Sequence, residues 1–298
     1  MDRSILVPLD GSRFAERALG PAARVAAATG ASLHLVRVAD PAASVRAYPA
    51  EGTGLPPAPV VDPAGGPDAQ GYLEGVRERL ERPEITRIVT AVLEGSVAAS
   101  IAHYAERNRV GGLVVATHAP GTVGRVLSGS VADEILGLTT TPLLAVPPEA
   151  TEPDTTPLCP ILVAVDGPTT DAVADTSASL AVALGGRVAL VHVVPTDEDA
   201  WGTLSHPSGG WDEAMRSGER LVDRVKERMR RRGLDVDVFV VGHNSPAQAI
   251  CEVAGEVGAG LMAVGSSRPR GLRRLLLGSV AGEVLTSACR PVLIHAAS

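Results

Sequence analysis

Apolar residues fall into two alternating kinds of run along this chain, and the whole alternation occurs twice. Short uninterrupted apolar stretches read as strands covered on both faces. In the first half they lie at 5–9, 32–38, 85–93, 113–116 and 143–146; in the second, at 161–165, 188–194, 236–241, 261–264 and 292–294. Between them, segments with apolar positions three and four apart read as helices. These are 12–29, 69–82, 96–107 and 131–138, followed by 171–184, 212–232, 246–256 and 280–287. Val97, Ile101 and Tyr104 share one face of the third helix, and Gly30 is a stop signal for the first.

Closely similar phrases recur with this pattern. Val7-Pro8-Leu9-Asp10-Gly11 returns as Val163-Ala164-Val165-Asp166-Gly167, and Leu127-Ser128-Gly129-Ser130-Val131-Ala132 as Leu276-Leu277-Gly278-Ser279-Val280-Ala281. Thr141-Pro142-Leu143-Leu144 returns as Arg290-Pro291-Val292-Leu293. Order is kept while loop lengths differ, which indicates duplication of a whole domain. The chain therefore divides into residues 1–147, a Pro-rich acidic linker at 148–158, and residues 159–298. The expected architecture is α/β, with two Rossmann-like domains, each a five-stranded parallel sheet flanked by helices. Residues 40–68 are crowded with Pro, Gly and Ala and show no period, so they read as a flap or a disordered loop.

Composition narrows the function classes. A length of 298 residues fits two domains, and 45% hydrophobic residues is enough for two cores. Aromatics are only 2%, which argues against stacking platforms for single-stranded nucleic acid. A net charge of −7 argues against nucleic-acid or anionic-membrane partners. Cys159, Cys251 and Cys289 form no CxxC pair and read as reduced thiols. With no signal-like leader after Met1 and no long apolar stretch, the expected location is the cytoplasm.

Candidate chemistry gathers where strands meet helices. In an open parallel sheet, ligands bind beyond the carboxyl ends of the strands, where strand order reverses. Asp10 and Asp166 follow the first strand of each half; there a carboxylate can accept from a ribose or cap the next helix. Gly129-Ser130 and Gly278-Ser279 stand where a helix begins, and amides at a helix tip favour an anion. Arg268, Arg270, Arg273 and Arg274 precede the second tip, as polyphosphate ligands or as a solvated basic loop. His118 lies in the corresponding first-half loop, and His34 faces a helix or solvent. Gly258-Ala259-Gly260 resembles a dinucleotide fingerprint but precedes its strand, and Gly124 to Ser130 lacks the lysine of a phosphate loop.

These residues together resemble the universal stress protein family in its tandem two-domain form. The likeness rests on the Asp-Gly turns, the Gly-Ser-Val-Ala helix starts, the Pro-plus-apolar last strands, Gly95-Ser96-Val97-Ala98 and Gly242-His243-Asn244-Ser245-Pro246-Ala247. It implies adenine nucleotide α-hydrolase-like domains that pair through their last strands, within one chain as a pseudo-dimer or between chains as a homodimer. It also implies ATP, alone or with Mg2+, as ligand. By resemblance, Asp10, Val38, Gly129, Ser130 and Val131 would form one site. Asp166, Val193, Gly265, Arg268, Gly278, Ser279 and Val280 would form the other, with Val38 and Val193 flanking adenine. The family's ATP-binding members carry Gly-x-x-Gly, nine residues, then Gly-Ser or Gly-Thr. This chain has Ala116 and Ala119 at the two earlier positions of the first half, and Gly265 and Arg268 in the second, so the second half is the better expected site. The implied function is a nucleotide-responsive stress protein that is not an enzyme. The alternatives are a nucleotide-free protein-interaction module and slow ATP hydrolysis.

Overall fold

The computed structural model describes residues 4–39, 69–117, 131–148, 150, 157–167, 169–196, 210–266 and 278–296. The first half contains β1 (Ser4–Pro8), α1 (Leu19–Thr29), β2 (Ser32–Ala39), α2 (Ala69–Leu80), β3 (Ile88–Glu94), α3 (Val97–Arg107), β4 (Gly112–Ala116), α4 (Val131–Leu138) and β5 (Leu143–Val146). The second contains β6 (Ile161–Ala164), α5 (Thr170–Leu184), β7 (Val188–Val194), α6 (Gly210–Arg230), β8 (Val236–Gly242), α7 (Pro246–Glu256), β9 (Leu261–Ser266), α8 (Ser279–Ser287) and β10 (Val292–Ala296). The expected flap at 40–68 and most of the linker lie outside the described residues.

All ten strands form one sheet in the order β3-β2-β1-β4-β5-β10-β9-β6-β7-β8. Each half supplies five parallel strands, and the halves meet where β5 and β10 run antiparallel, with Leu144 opposite Leu293. Within each half the order reverses beside the first strand, between β1 and β4 and between β6 and β9. Those are the crevices where a ligand of such a sheet is expected.

Continuous apolar strands bury both faces because successive side chains point to opposite sides. Val7, Leu33, Leu35, Val163 and Leu190 pack on one face with α1, α2, α5 and α6. Leu6, Val36, Leu162 and Met262 pack on the other with α3, α4, α7 and α8. Helix ends follow local chemistry. Gly30 and Gly185 take left-handed conformations at the ends of α1 and α5, at φ 65° and 62°. Ser245 caps α7 by accepting from the Gln248 amide at 3.3 Å, with Pro246 at the first helical position.

The first helix departs from expectation. Instead of running from residue 12, the chain makes a 3-10 turn at Ala15–Ala18 before α1 starts at Leu19. Pro21 explains the shift: without an N–H it cannot join an interior i→i−4 ladder but fits the first turn of a helix. Likewise β3 starts at Ile88 and not at residue 85, because the Ile85 amide closes a turn onto the Arg82 carbonyl at 3.0 Å.

Candidate functional site

The second-half crevice is bounded by the turn after β6 and the end of β9. Gly167 has φ 113°, a left-handed conformation that turns the chain sharply after Asp166. The turn is closed by hydroxyls. Thr170 Oγ1 accepts from the Asp166 and Gly167 amides at 3.0 and 3.1 Å, and donates to Asp166 Oδ1 at 3.2 Å. Thr169 Oγ1 donates to the same oxygen at 2.6 Å. Asp166 therefore organises the start of α5 while remaining exposed, and among the described residues its hydroxyl contacts fall on Oδ1, leaving Oδ2 as an acceptor.

Gly265 faces this turn from β9, opposite His295 of β10. A Cβ at Gly265 would lie 2.4 Å from Thr169 Oγ1 and 2.8 Å from the Thr169 carbonyl oxygen. The close approach that glycine permits here is taken by the chain itself, a role the motif alone does not reveal. Val193 lies half-buried on β7, beside Val241 of β8.

The tip of α8 is different. Gly278 is its N-cap, with φ −53° and ψ 151°, and no side chain caps the first turn. Among the described residues, nothing stands within 4 Å of a Cβ placed at Gly278. Ser279 is exposed and Val280 half-buried against the core. A helix start whose first amides meet no partner among the described residues, with the dipole behind it, is a physical receptor for an anion.

In the first half, Asp10 is exposed, and its Oδ1 accepts from the Ser12 amide at 2.8 Å; Ser12 Oγ accepts from Ala15 N at 3.1 Å. Val38 is buried on β2, and Val131 opens α4 with its side chain largely exposed. Ala116 ends β4 opposite Val146. Gly129, Ser130, Arg268 and His118 lie outside the described residues.

The profile of the Universal stress protein family matches residues 1–147 and 159–295. The chain belongs to this family. Universal stress protein YxiE of Bacillus subtilis (strain 168) is 30% identical over 143 residues, which cover 45% of this chain and 96% of that protein. The crystal structure of a universal stress protein from Archaeoglobus fulgidus DSM 4304 superposes with a TM-score of 0.63 at 16% identity, covering 98% of each chain. One from Pseudomonas aeruginosa UCBPP-PA14 gives 0.62 at 16% identity, covering 99% of this chain and 93% of that one. At these identities the structures support the fold alone.

Several residues at the universal stress protein crevices carry no obvious sequence signal. Arg37 on β2 is 5% exposed, and its guanidinium lies 3.4–3.6 Å from where a Gly11 Cβ would sit. His192 holds the corresponding place on β7 and donates from Nδ1 to the Val165 carbonyl at 2.6 Å. A charged residue inside the apolar run of β2 was the available clue to Arg37. The Thr169 and Thr170 hydroxyls precede the helix expected from residue 171, and no pattern in the sequence marks their role.

His34, Cys159 and Cys251 lie in structural settings. His34 faces α3: Nδ1 pairs with Tyr104 Oη at 3.0 Å and Nε2 with Ser32 Oγ at 3.3 Å. Burial, helped by nearby Arg87, pushes its pKa below the usual range. The three thiols are unbridged, and burial raises the pKa values of Cys159 and Cys251, which keeps them protonated. The fingerprint-like Gly260 is explained by packing, since a Cβ there would overlap the Pro157 carbonyl. Among the described residues, no helix is long and apolar enough to cross a membrane, and no group of three or more His, Cys, Asp or Glu is placed to hold a metal.

Proposed function

We propose that the second half binds an adenine nucleotide, ATP alone or with Mg2+ as its counter-ion, and that the chain acts as a nucleotide-responsive regulator and not as a catalyst. The open tip of α8 at Gly278-Ser279 carries this reading. Among the described residues its first amides have no side-chain cap, and it stands at the carboxyl edge of the sheet, the edge that also carries Asp166 and Val193. In this arrangement the amides hold phosphate oxygens, the exposed Asp166 oxygen accepts from ribose, and Val193 lines the base. Binding energy that differs between two shapes of the chain then shifts its population or its affinity for a protein partner.

Gly278→Asp is a clean probe. The negative φ suits a non-glycine residue, and the side chain meets open space. A carboxylate at a helix start also favours the helix while repelling phosphate. Wild-type protein should gain thermal stability with Mg-ATP, by about 2.7 kcal/mol at a hundredfold excess over Kd. The variant should fold as well and gain nothing; an equal gain in both would remove the α8 tip from the account.

One observation favours a second reading, a nucleotide-free interaction module. Thr169 occupies the close approach at Gly265 that a phosphate would use. Protein partners captured equally with or without Mg-ATP, and equally by Gly278→Asp, would support that alternative.

A further inference from the structure

The first half departs from the second at its Asp-Gly turn in a way that creates a different receptor. Register places Pro8 beside Val36 and Ala164 beside Val191, so Arg37 and His192 hold matching positions. The two turns also match from Asp10 and Asp166 onward, which sets Phe14 in place of Thr170. In the second half, Thr170 Oγ1 is an acceptor shared by the two turn amides. Phe14 offers no such oxygen. No hydrogen bond among the described residues engages the amides of Asp10 or Gly11, and Gly11 turns outward with φ 91°.

Arg37 adds a charge where the second half has a histidine satisfied by a carbonyl. Its side chain is 95% removed from solvent by its 5% exposure, and Nε is buried with no partner. No ion pair or hydrogen bond among the described residues engages the guanidinium. Its protein contact is the face of Tyr72, 5.3 Å from the ring centroid. Tyr72 is itself committed, donating to Glu16 Oε1 at 3.0 Å, where Arg79 also binds at 3.0 Å. Glu16 is thus already neutralised, and Asp10 Oδ1 is held by the Ser12 amide. A guanidinium cannot shed its proton at any physiological pH, and a cation–π contact offsets only part of its desolvation.

We propose that the first half binds a small oxyanion, a phosphate or phosphoryl group, between the Asp10 and Gly11 amides and the Arg37 guanidinium. One anionic oxygen takes the position that Thr170 Oγ1 occupies in the second half, and Arg37 pairs with another. The site lies on the α1 and α2 face of the sheet, opposite the side to which Val38 points. It is therefore separate from the proposed nucleotide crevice and does not depend on it.

The test is a thermal titration of the full chain with inorganic phosphate against sodium chloride at matched ionic strength. Wild type should show a saturable rise in Tm. Arg37→Met should be at least as stable in chloride, because it removes a buried charge that has no partner among the described residues, and should lose the part of the phosphate response that survives Gly278→Asp. A purely structural arginine would instead make Arg37→Met unstable in both salts. Phe14→Thr keeps Arg37 but supplies the missing hydroxyl, and should weaken phosphate binding at least about tenfold; this variant decides the matter if Arg37→Met does not fold. Gly278→Asp, which repels any phosphate held at the α8 tip, should still show a saturable response, and Arg37→Met added to it should abolish that response. No saturable effect in wild type, an undiminished one in Phe14→Thr, or its loss in Gly278→Asp would each overturn the proposal. Titration with methyl phosphate in place of inorganic phosphate separates a phosphoryl group from the free ion as the source.

Discussion

A methyl group added at Gly265 has nowhere to go, because Thr169 approaches with both its hydroxyl and its backbone carbonyl. The backbone oxygen cannot rotate away, so Gly265→Ala should cost about 1–3 kcal/mol in urea unfolding, even without nucleotide. An unchanged midpoint would show that the β6 turn is free to move, and would return Gly265 to a role in ligand contact alone. Two histidines give the chain a pH response. Burial lowers the pKa of His34 and of His295, whose Nδ1 lies 3.1 Å from the Ala172 carbonyl and 2.9 Å from Thr176 Oγ1. The unfolded chain then binds more protons than the folded one below the ordinary histidine value of 6.5. Stability should be full above that pH and fall as acidification proceeds from there through the lowered folded values. Denaturation midpoints from neutral to mildly acidic pH check this, and the slope should flatten in a His34→Gln, His295→Gln double variant. Residues that pack across the sheet were the least legible. Arg37 lies within Leu35-Val36-Arg37-Val38, and its neighbours Gly11 and Tyr72 come from other elements. Thr169 gains its meaning from β9, which no local pattern can supply.

At the scale of elements, strands and helices were readable because each is an uninterrupted pattern bounded by a chemical stop. Val131–Leu138, Leu143–Val146, Val188–Val194 and Pro246–Glu256 fall where periodicity puts them. Failures came where a single residue outweighed the period, as Pro21 does by delaying α1 to Leu19. The join between halves is an element-scale property as well. Leu144 and Leu293 face each other across the antiparallel β5–β10 pair and are both buried, at 4% exposure each. A glutamate at either position must bury an unpaired charge or break the pair, at a cost of about 3 kcal/mol or more. Leu293→Glu should therefore split unfolding into two transitions and enlarge the chain in small-angle scattering. A wild-type scattering profile together with a single transition would contradict the role given to that join.

For the whole molecule, duplication has produced two halves with one topology and different edges. The second half closes its Asp-Gly turn with threonine hydroxyls and leaves the α8 tip open. The first half has no hydrogen bond to its Asp10 and Gly11 amides among the described residues, beside a buried arginine. Membership of the universal stress protein family accounts for the shared sheet, and the differences are what would let one chain read two ligands. The direct test of the nucleotide reading is calorimetric titration of the full chain with Mg-ATP, beside Gly278→Asp. The account predicts saturable heat with one nucleotide per chain, and none in the variant. No heat from wild-type protein at millimolar Mg-ATP, or unchanged binding by Gly278→Asp, would contradict it.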